Sequence, residues 1–382
     1  MNKKLLIVAL IPLVASCSNV KTYQLEDYQT NLSYNDGFSV LVLNDLHLAY
    51  TSDLKVEFDY YLKVIFSRAA LQYPNLDIVE LLKDEQMKAQ IYEYAPDLII
   101  LNGDTFMNAN KKVVKETFRF FDEVAIPYGF LNGNHDLQGF YSHQFIYEQL
   151  AKTKYAINKN LQDNVTGQTN FVININEGNE IKWQIYGIDC NTYEDFEYDC
   201  IQDDQVEWYK QQVISTKDKR NTNDYAPSLL LTHIPVTEFK DAWKLETNGQ
   251  YTVSPSEDYQ GKSSWWINEG VNCSPKEDEL FETIQELGGP TKGIISAHDH
   301  INISDFYYRG EGDHEVRLIY SMKTGQGIYH DKRMMGGVFY TLKEDETFDK
   351  LVLNVPYGFD HENNINGVYE MNDEFINKGG KI

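Results

Sequence analysis

The side chains of this 382-residue chain best suited to chemistry fall in five short segments. They are Asn44-Asp45-Leu46-His47, Asn102-Gly103-Asp104, Asn132-Gly133-Asn134-His135-Asp136, Thr232-His233-Ile234-Pro235 and Ala297-His298-Asp299-His300. Five of the nine histidines lie inside them. Carboxylate, amide and imidazole donors of this kind hold transition-metal cations. Spread between residues 45 and 300, they serve together only if the fold gathers them. Taken singly each segment is weak, because Asp-x-His arises by chance and a lone buried histidine is ordinarily a hydrogen-bonded core residue. The conjunction points to one centre holding two metal ions.

The elements that would position these residues follow one grammar. A short β-rich apolar run precedes each segment: Phe38 to Leu43 leads into Asp45, Asp97 to Leu101 into Asp104, and Pro127 to Leu131 into Asn134. Ser228 to Leu231 leads into His233, and Gly293 to Ser296 into His298. Runs this apolar are strands buried on both faces. Helical periodicity separates the early ones, over Asp77 to Tyr94 and Lys111 to Val124, and appears again over Asp204 to Ile214. Strand, helix and strand in succession predict an α/β sheet with crossover connections. Ligands of such sheets sit beyond the carboxyl ends of the strands, where all five segments fall. After His300 the pattern turns to strands alone, at Ile301 to Tyr308, Val316 to Met322, Gly337 to Leu342 and Lys350 to Val355. A second sheet packed on the first would bury them.

In order and composition the five segments closely resemble the calcineurin-like metallophosphoesterases, whose pattern is Asp-x-His, Gly-Asp, Gly-Asn-His-Asp/Glu, a lone His, then Gly-His-x-His. The likeness runs from about Phe38 to Val355. Within that family the chain looks nearest to the single-domain group related to purple acid phosphatases, through Leu-Thr-His-Ile-Pro, the His-Asp-His and Gly327-Ile328-Tyr329-His330. The resemblance implies a four-layer α-β-β-α sandwich of two packed mixed sheets. It implies that Asp45, His47 and His300 bind one ion, that Asp104 bridges, and that Asn134, His233 and His298 complete the second site. Two such cations polarise phosphoryl oxygens and lower the pKa of a bridging water to give hydroxide, so the implied reaction is hydrolysis of a small phosphate ester. A monoester is expected first and a diester next.

His135, directly after a ligand, is the expected general acid, with Asp136 expected to hold its other ring nitrogen. Asp299, between two ligands, is expected to support them rather than to bind. Ala297 replaces the usual glycine, which costs about 1 kcal/mol only if that backbone needs a positive φ. Purple members bind ferric iron through a tyrosine and have glycine where this chain has His47, so no such colour is expected here. The donor set suits Mn, Fe, Zn or Co. His330, Trp265 and Trp266 are the candidates for substrate contact, the tryptophans as part of a lid in the polar stretch 236 to 292.

The two ends set the expected location and the domain limits. Lys3-Lys4, the apolar run Leu5 to Leu13 and small residues up to Cys17 form an export signal. Val14-Ala15-Ser16-Cys17 resembles a bacterial lipobox, which implies acylation at Cys17 and a chain tethered by lipid outside the cytoplasm. Expected boundaries are a signal peptide at 1–16, a lipidated spacer at 17–36, one catalytic domain at 37–356 and a polar tail at 357–382. Apolar residues at 42 % suffice for a large core, and a net charge of −24 disfavours nucleic acid as a partner. Cys190, Cys200 and Cys273 allow three pairings or buried free thiols.

Overall fold

The computed structural model of the protein describes residues 23–158, 164–190, 193–194, 197–199, 201–222, 224–245, 251–253, 262–356 and 366–380. Two mixed sheets lie face to face. One has six strands in the order Tyr369–Glu370, Phe348–Asn354, Gly336–Leu342, Ser39–Leu43, Leu98–Asn102 and Tyr128–Leu131. Its last three are parallel, as crossover helices require, and Gly336–Leu342 is antiparallel to Ser39–Leu43. The other has eight, in the order Gln29–Ser33, Phe171–Glu177, Glu180–Gly187, Ser228–Leu231, Thr291–Ser296, Val316–Tyr320, Asn302–Tyr308 and Ser264–Ile267.

Alternation along each strand divides the core into layers. Val40 and Val42 face the space between the sheets with Leu229, Leu231, Ile295 and Ile319, while Leu41 and Leu43 face the opposite way. There they meet the helices Leu54–Ile65, Lys111–Val124 and His143–Leu150, through Tyr61, Val64, Phe118 and Ile146. On the far side of the eight-stranded sheet, Tyr186, Leu230 and Ile294 pack on the helices Asp203–Ile214 and Leu280–Glu286 through Trp208, Tyr209 and Ile284. Helix, sheet, sheet, helix is the four-layer order that the resemblance implies. One buried ionic link also crosses the central layer. Asp305 of the larger sheet takes the Arg317 guanidinium at 2.5 Å and, from the smaller sheet, the Lys350 ammonium at 2.8 Å.

Several expectations change. The strands ahead of the five segments do not share one sheet: those before residues 45, 104 and 134 lie in the six-stranded sheet, and those before 233 and 298 in the eight-stranded one. The late strands are divided as well, because Asn302–Tyr308 and Val316–Tyr320 join the second sheet and the last two return to the first. The helix predicted over 77 to 94 is two, Ile78–Leu81 and Glu85–Tyr92, since Asp77 and Asp84 each cap a new start. The spacer expected up to residue 36 is folded from residue 23. Leu25–Tyr28 forms a turn of 3-10 helix, and Gln29–Ser33 pairs in parallel with Phe171–Glu177. Nor is the whole of 357–382 a tail. Tyr369–Glu370 extends the smaller sheet, and the helix Asp373–Asn377 buries Ile376 completely. Cys190 and Cys273 are buried free thiols, whereas Cys17 and Cys200 lie outside the described residues.

A candidate two-metal centre between the sheets

The five segments meet where the two sheets end side by side. Asp45 donates its amide to the Gly103 carbonyl, and His47 to the Asp104 carbonyl at 2.9 Å, so the first two loops run together. Asp45, His47, Asp104 and His298 all hold positive φ, at 52°, 49°, 49° and 76°. Non-glycine residues in that region cost of order 1 kcal/mol or more each, and such strain concentrates at functional sites. It turns each side chain off the strand axis into a common space. Ala297, by contrast, is not among the residues of positive φ, so the missing family glycine costs nothing.

Two donor groups result, each joining both sheets. Asp45 and His47 come from the smaller sheet and His300 from the larger; Asp104 meets His233 and His298 in the same way. The Nε2 atoms of His47 and His300 stand 3.1 Å apart, and each lies 3.5 Å from Asp45 Oδ1. His233 Nε2 is 3.2 Å from Asp104 Oδ2, and that same oxygen is 3.8 Å from His47 Nε2. Asp104 Oδ2 therefore faces both groups, the place of a bridging ligand. Its other oxygen is taken by the His135 amide at 2.8 Å. Asn134, expected as a ligand of the second site, is buried beside them.

The chemistry of these atoms fits cations. Asp45 Oδ1, Asp104 Oδ2 and His233 Nε2 are buried and have no partner outside this cluster of ionisable groups, a costly state unless positive charge sits among them. Two of the imidazoles are oriented from behind, as metal-binding histidines usually are. His233 Nδ1 donates to the Asn102 carbonyl at 2.9 Å and His300 Nδ1 to the Tyr329 carbonyl at 3.1 Å, so each Nε2 points inward, where it offers a lone pair once it carries no proton. Burial, with the nearby Lys323 ammonium, pulls His47 down to about 4, and burial takes His298 to about 3, so both are neutral donors. Burial also weighs on His233, but the Asp104 carboxylate outweighs it and raises the ring to about 9. A proton on His233 thus balances Asp104 until a cation displaces it. For Asp45, burial is opposed by the His300 and His47 rings, which hold the carboxyl well below its ordinary range.

Glycines make this approach possible. A Cβ on Gly103 would stand 2.3 Å from the His233 ring, and one on Gly133 would stand 2.3 Å from Asp104 Oδ1.

His135 lies at the mouth, half-buried, with its ring centroid 5.4 Å from that of His47. Its Nδ1 is held by Gln138 Oε1 at 2.7 Å, not by Asp136. Asp136 is fully buried, and its oxygens accept the amides of Phe106 and Gly133 at 2.8 and 2.7 Å. The acid residue following His135 therefore shapes the loop and does not touch the ring. Asp299 accepts from the Asn272 amide at 2.6 Å and from the Tyr320 hydroxyl. The tryptophans form no lid. Trp265 and Trp266 belong to the edge strand Ser264–Ile267, Trp265 stacked on Phe306 and Trp266 packed against Phe375 with Arg333 over its ring. His330 turns Nδ1 to the Ile328 carbonyl.

Three residues to which the sequence assigned no part in the site serve the centre. Lys323, fully buried, donates to the Asp45 carbonyl at 2.9 Å. Tyr329 holds His300 through its carbonyl and lays its ring 4.4 Å from the imidazole. Glu269 accepts the Tyr329 hydroxyl and the Ile301 amide, both at 2.9 Å. A lysine directly after an apolar strand was the visible sign for the first. For Tyr329 the sign was its place beside His330.

A four-layer sandwich with two adjoining His/carboxylate groups at the strand ends defines a dinuclear metallohydrolase architecture. Residues 38–302 match the calcineurin-like phosphoesterase family model, and the chain belongs to that family. Among curated proteins it is similar to probable inactive purple acid phosphatase 14 of Arabidopsis thaliana, 22 % identical over 355 residues, which is 86 % of this chain and 80 % of that one. It is also similar to an uncharacterized protein of Schizosaccharomyces pombe, 29 % identical over 288 residues, covering 71 % of this chain and 48 % of the yeast protein. Among solved structures, a dimetal phosphatase from Danio rerio aligns over 81 % of this chain and 94 % of its own, with 10 % identity and a TM-score of 0.45.

Proposed function

We propose that the protein is a catalytically competent, two-metal phosphoesterase that acts on small phosphomonoesters outside the cytoplasm, anchored by lipid at Cys17. The observation that carries the proposal is the pair of buried donor groups sharing Asp104, with His135 at their mouth. Bound there, two transition-metal ions would supply Lewis acidity and activate water for attack on phosphorus. The chain's own residues do the rest. Asp45, His47 and His300 would hold one ion, and Asn134, His233 and His298 the other, with Asp104 between them. Gln138 keeps the His135 proton on Nδ1, so Nε2 is the nitrogen available to a substrate oxygen. An imidazolium there would donate a proton to the departing alkoxide. Lys323 offsets the negative charge of Asp45 from beneath and limits repulsion between the carboxylates.

A second reading, a binding protein on the same fold without turnover, draws on the word "inactive" in the name of the Arabidopsis relative. Every donor position is nevertheless filled in this chain. The deciding assay is hydrolysis of p-nitrophenyl phosphate and bis(p-nitrophenyl) phosphate by residues 18–382, stripped and reloaded with Mn, Zn, Fe or Co. Metal-dependent turnover, with the monoester preferred and an Asn134→Ala/His135→Ala variant silent, is expected. Tight metal retention without turnover would favour the binding protein, and preference for the diester would replace monoesterase by diesterase. For the anchor, Cys17→Ser should release the chain from the membrane fraction and abolish incorporation of labelled fatty acid.

A further inference from the structure

We infer that the leaving group of the substrate is apolar or aromatic and carries no second anionic group, and that Tyr50, Phe140, Ile328 and Tyr329 form the surface that selects it. The inference rests on the phosphoesterase reading above. Large apolar side chains exposed among the described residues are few, and these four are 60 %, 72 %, 41 % and 49 % exposed. Scattered exposure of this kind needs no explanation, but a set collected on adjoining loops beside a polar centre does.

The loops are tied to the ligands and to one another. Tyr50 follows His47 by three residues and donates its amide to the Asn108 carbonyl. Phe140 donates its amide to the next carbonyl, Ala109, at 3.0 Å, so both residues border the loop that follows Asp104. The third stretch leans on the other side of the site. Gly327 backs so closely on His47 that a Cβ would stand 2.7 Å from the His47 Cβ, and Tyr329 is held on His300. Ile328 sits between them at φ 64°, a region that a β-branched residue almost never occupies. The fold thus accepts backbone strain while exposing an apolar side chain at the mouth.

Charge narrows the choice further. Residues 48–52, 105–110, 137–142 and 324–330 contain no lysine or arginine, and the one basic side chain among them, His330, turns Nδ1 to the Ile328 carbonyl. A second phosphate on the substrate would find no permanent cation on these loops, and the Glu269 carboxylate behind Tyr329 would repel it. An uncharged alkyl or aryl group would instead lose apolar surface to the rings.

The test compares esters of matched leaving-group chemistry. For the metal-loaded chain, kcat/KM is measured on hexyl phosphate, glycerol 3-phosphate and hexane-1,6-bisphosphate, for the wild type and for Tyr50→Ser/Phe140→Ser. Both substituted residues are exposed, and a thermal melt checks that the variant folds. Hexyl phosphate is expected to exceed each of the other two by about tenfold, and its advantage over glycerol 3-phosphate to fall towards unity in the variant, through KM. Hydrolysis of all three with no preference, or a preference that survives the double substitution, would overturn this inference and leave the phosphoesterase reading standing. No hydrolysis of any ester with any metal would overturn both.

Discussion

Gly103→Ala provides a sharp test of the centre, because it touches no ligand atom and yet should disable one. Gly103 holds φ 84°, so alanine costs about 1 kcal/mol from backbone strain alone. The larger effect is steric. The new Cβ would lie 2.3 Å from both Cγ and Nδ1 of His233 and 2.6 Å from its Cβ, and ordinary contact begins near 3.4 Å. The ring must therefore retreat by about 1 Å, which breaks its 2.9 Å bond to the Asn102 carbonyl and draws Nε2 away from Asp104. Loss of such an orienting contact typically weakens metal binding by roughly 10–100-fold. Gly178→Ala is the control, since Gly178 has φ 61° and a Cβ added there would meet nothing within 4 Å. Metal content after dialysis, competition titration with a chelator and a thermal melt should be run on both. Gly178→Ala should show only the backbone cost and keep its metal. Gly103→Ala should lose one ion of the pair and most turnover. Retention of both ions at unchanged affinity in Gly103→Ala would refute the placement of His233 and the two-site geometry built on it.

Other expectations follow from the same contacts. His135→Ala should lower kcat by roughly 10²–10⁴-fold while metal content stays intact, because the backbone amide that holds Asp104 remains; loss of metal instead would make His135 a structural residue. Asp305→Asn removes the buried carboxylate that Arg317 and Lys350 share, leaving Lys350 with Asp373 at 3.7 Å, and should cost about 3 kcal/mol in urea unfolding. The Asp305 carboxyl is opposed by burial, but Lys350 and Arg317 outweigh it and lower it from 3.8 to about 2. That drop corresponds to roughly 2 kcal/mol of stability, present above about pH 4 and lost as pH falls through 2, so the acid unfolding of the variant should lack this component. Trp266→Ala should cost about 3–5 kcal/mol with kcat/KM unchanged, since the ring is core at a sheet edge; a change in substrate preference without destabilisation would restore the lid.

The boundary between what sequence and structure each contribute is visible residue by residue. Strands such as Ser39–Leu43 and Ser228–Leu231 were legible because burial on both faces demands an unbroken apolar run, and the donor that follows each run was legible with them. The capping aspartates Asp77 and Asp84 were equally visible, yet an apolar period carried across them read as one helix. Roles that depend on a neighbour distant in the chain could not be read. Asp136 is next to His135 in sequence, but the turn sends its carboxylate to Phe106 and Gly133 and gives the ring to Gln138.

By itself, then, the sequence determined which donors the protein possesses, in what order, and at the ends of which strands, because local periodicity and residue chemistry are properties of short segments. Only the tertiary structure decided how they are shared. It set His300 against His47 across 253 positions of chain, placed Asp104 Oδ2 between two groups drawn from different sheets, and brought Lys323 beneath Asp45. It also moved Trp266 from the mouth of the site into the core. The physical reason is that sheet pairing and face-to-face packing are long-range choices, fixed by how two whole layers bury their apolar faces and not by any one segment.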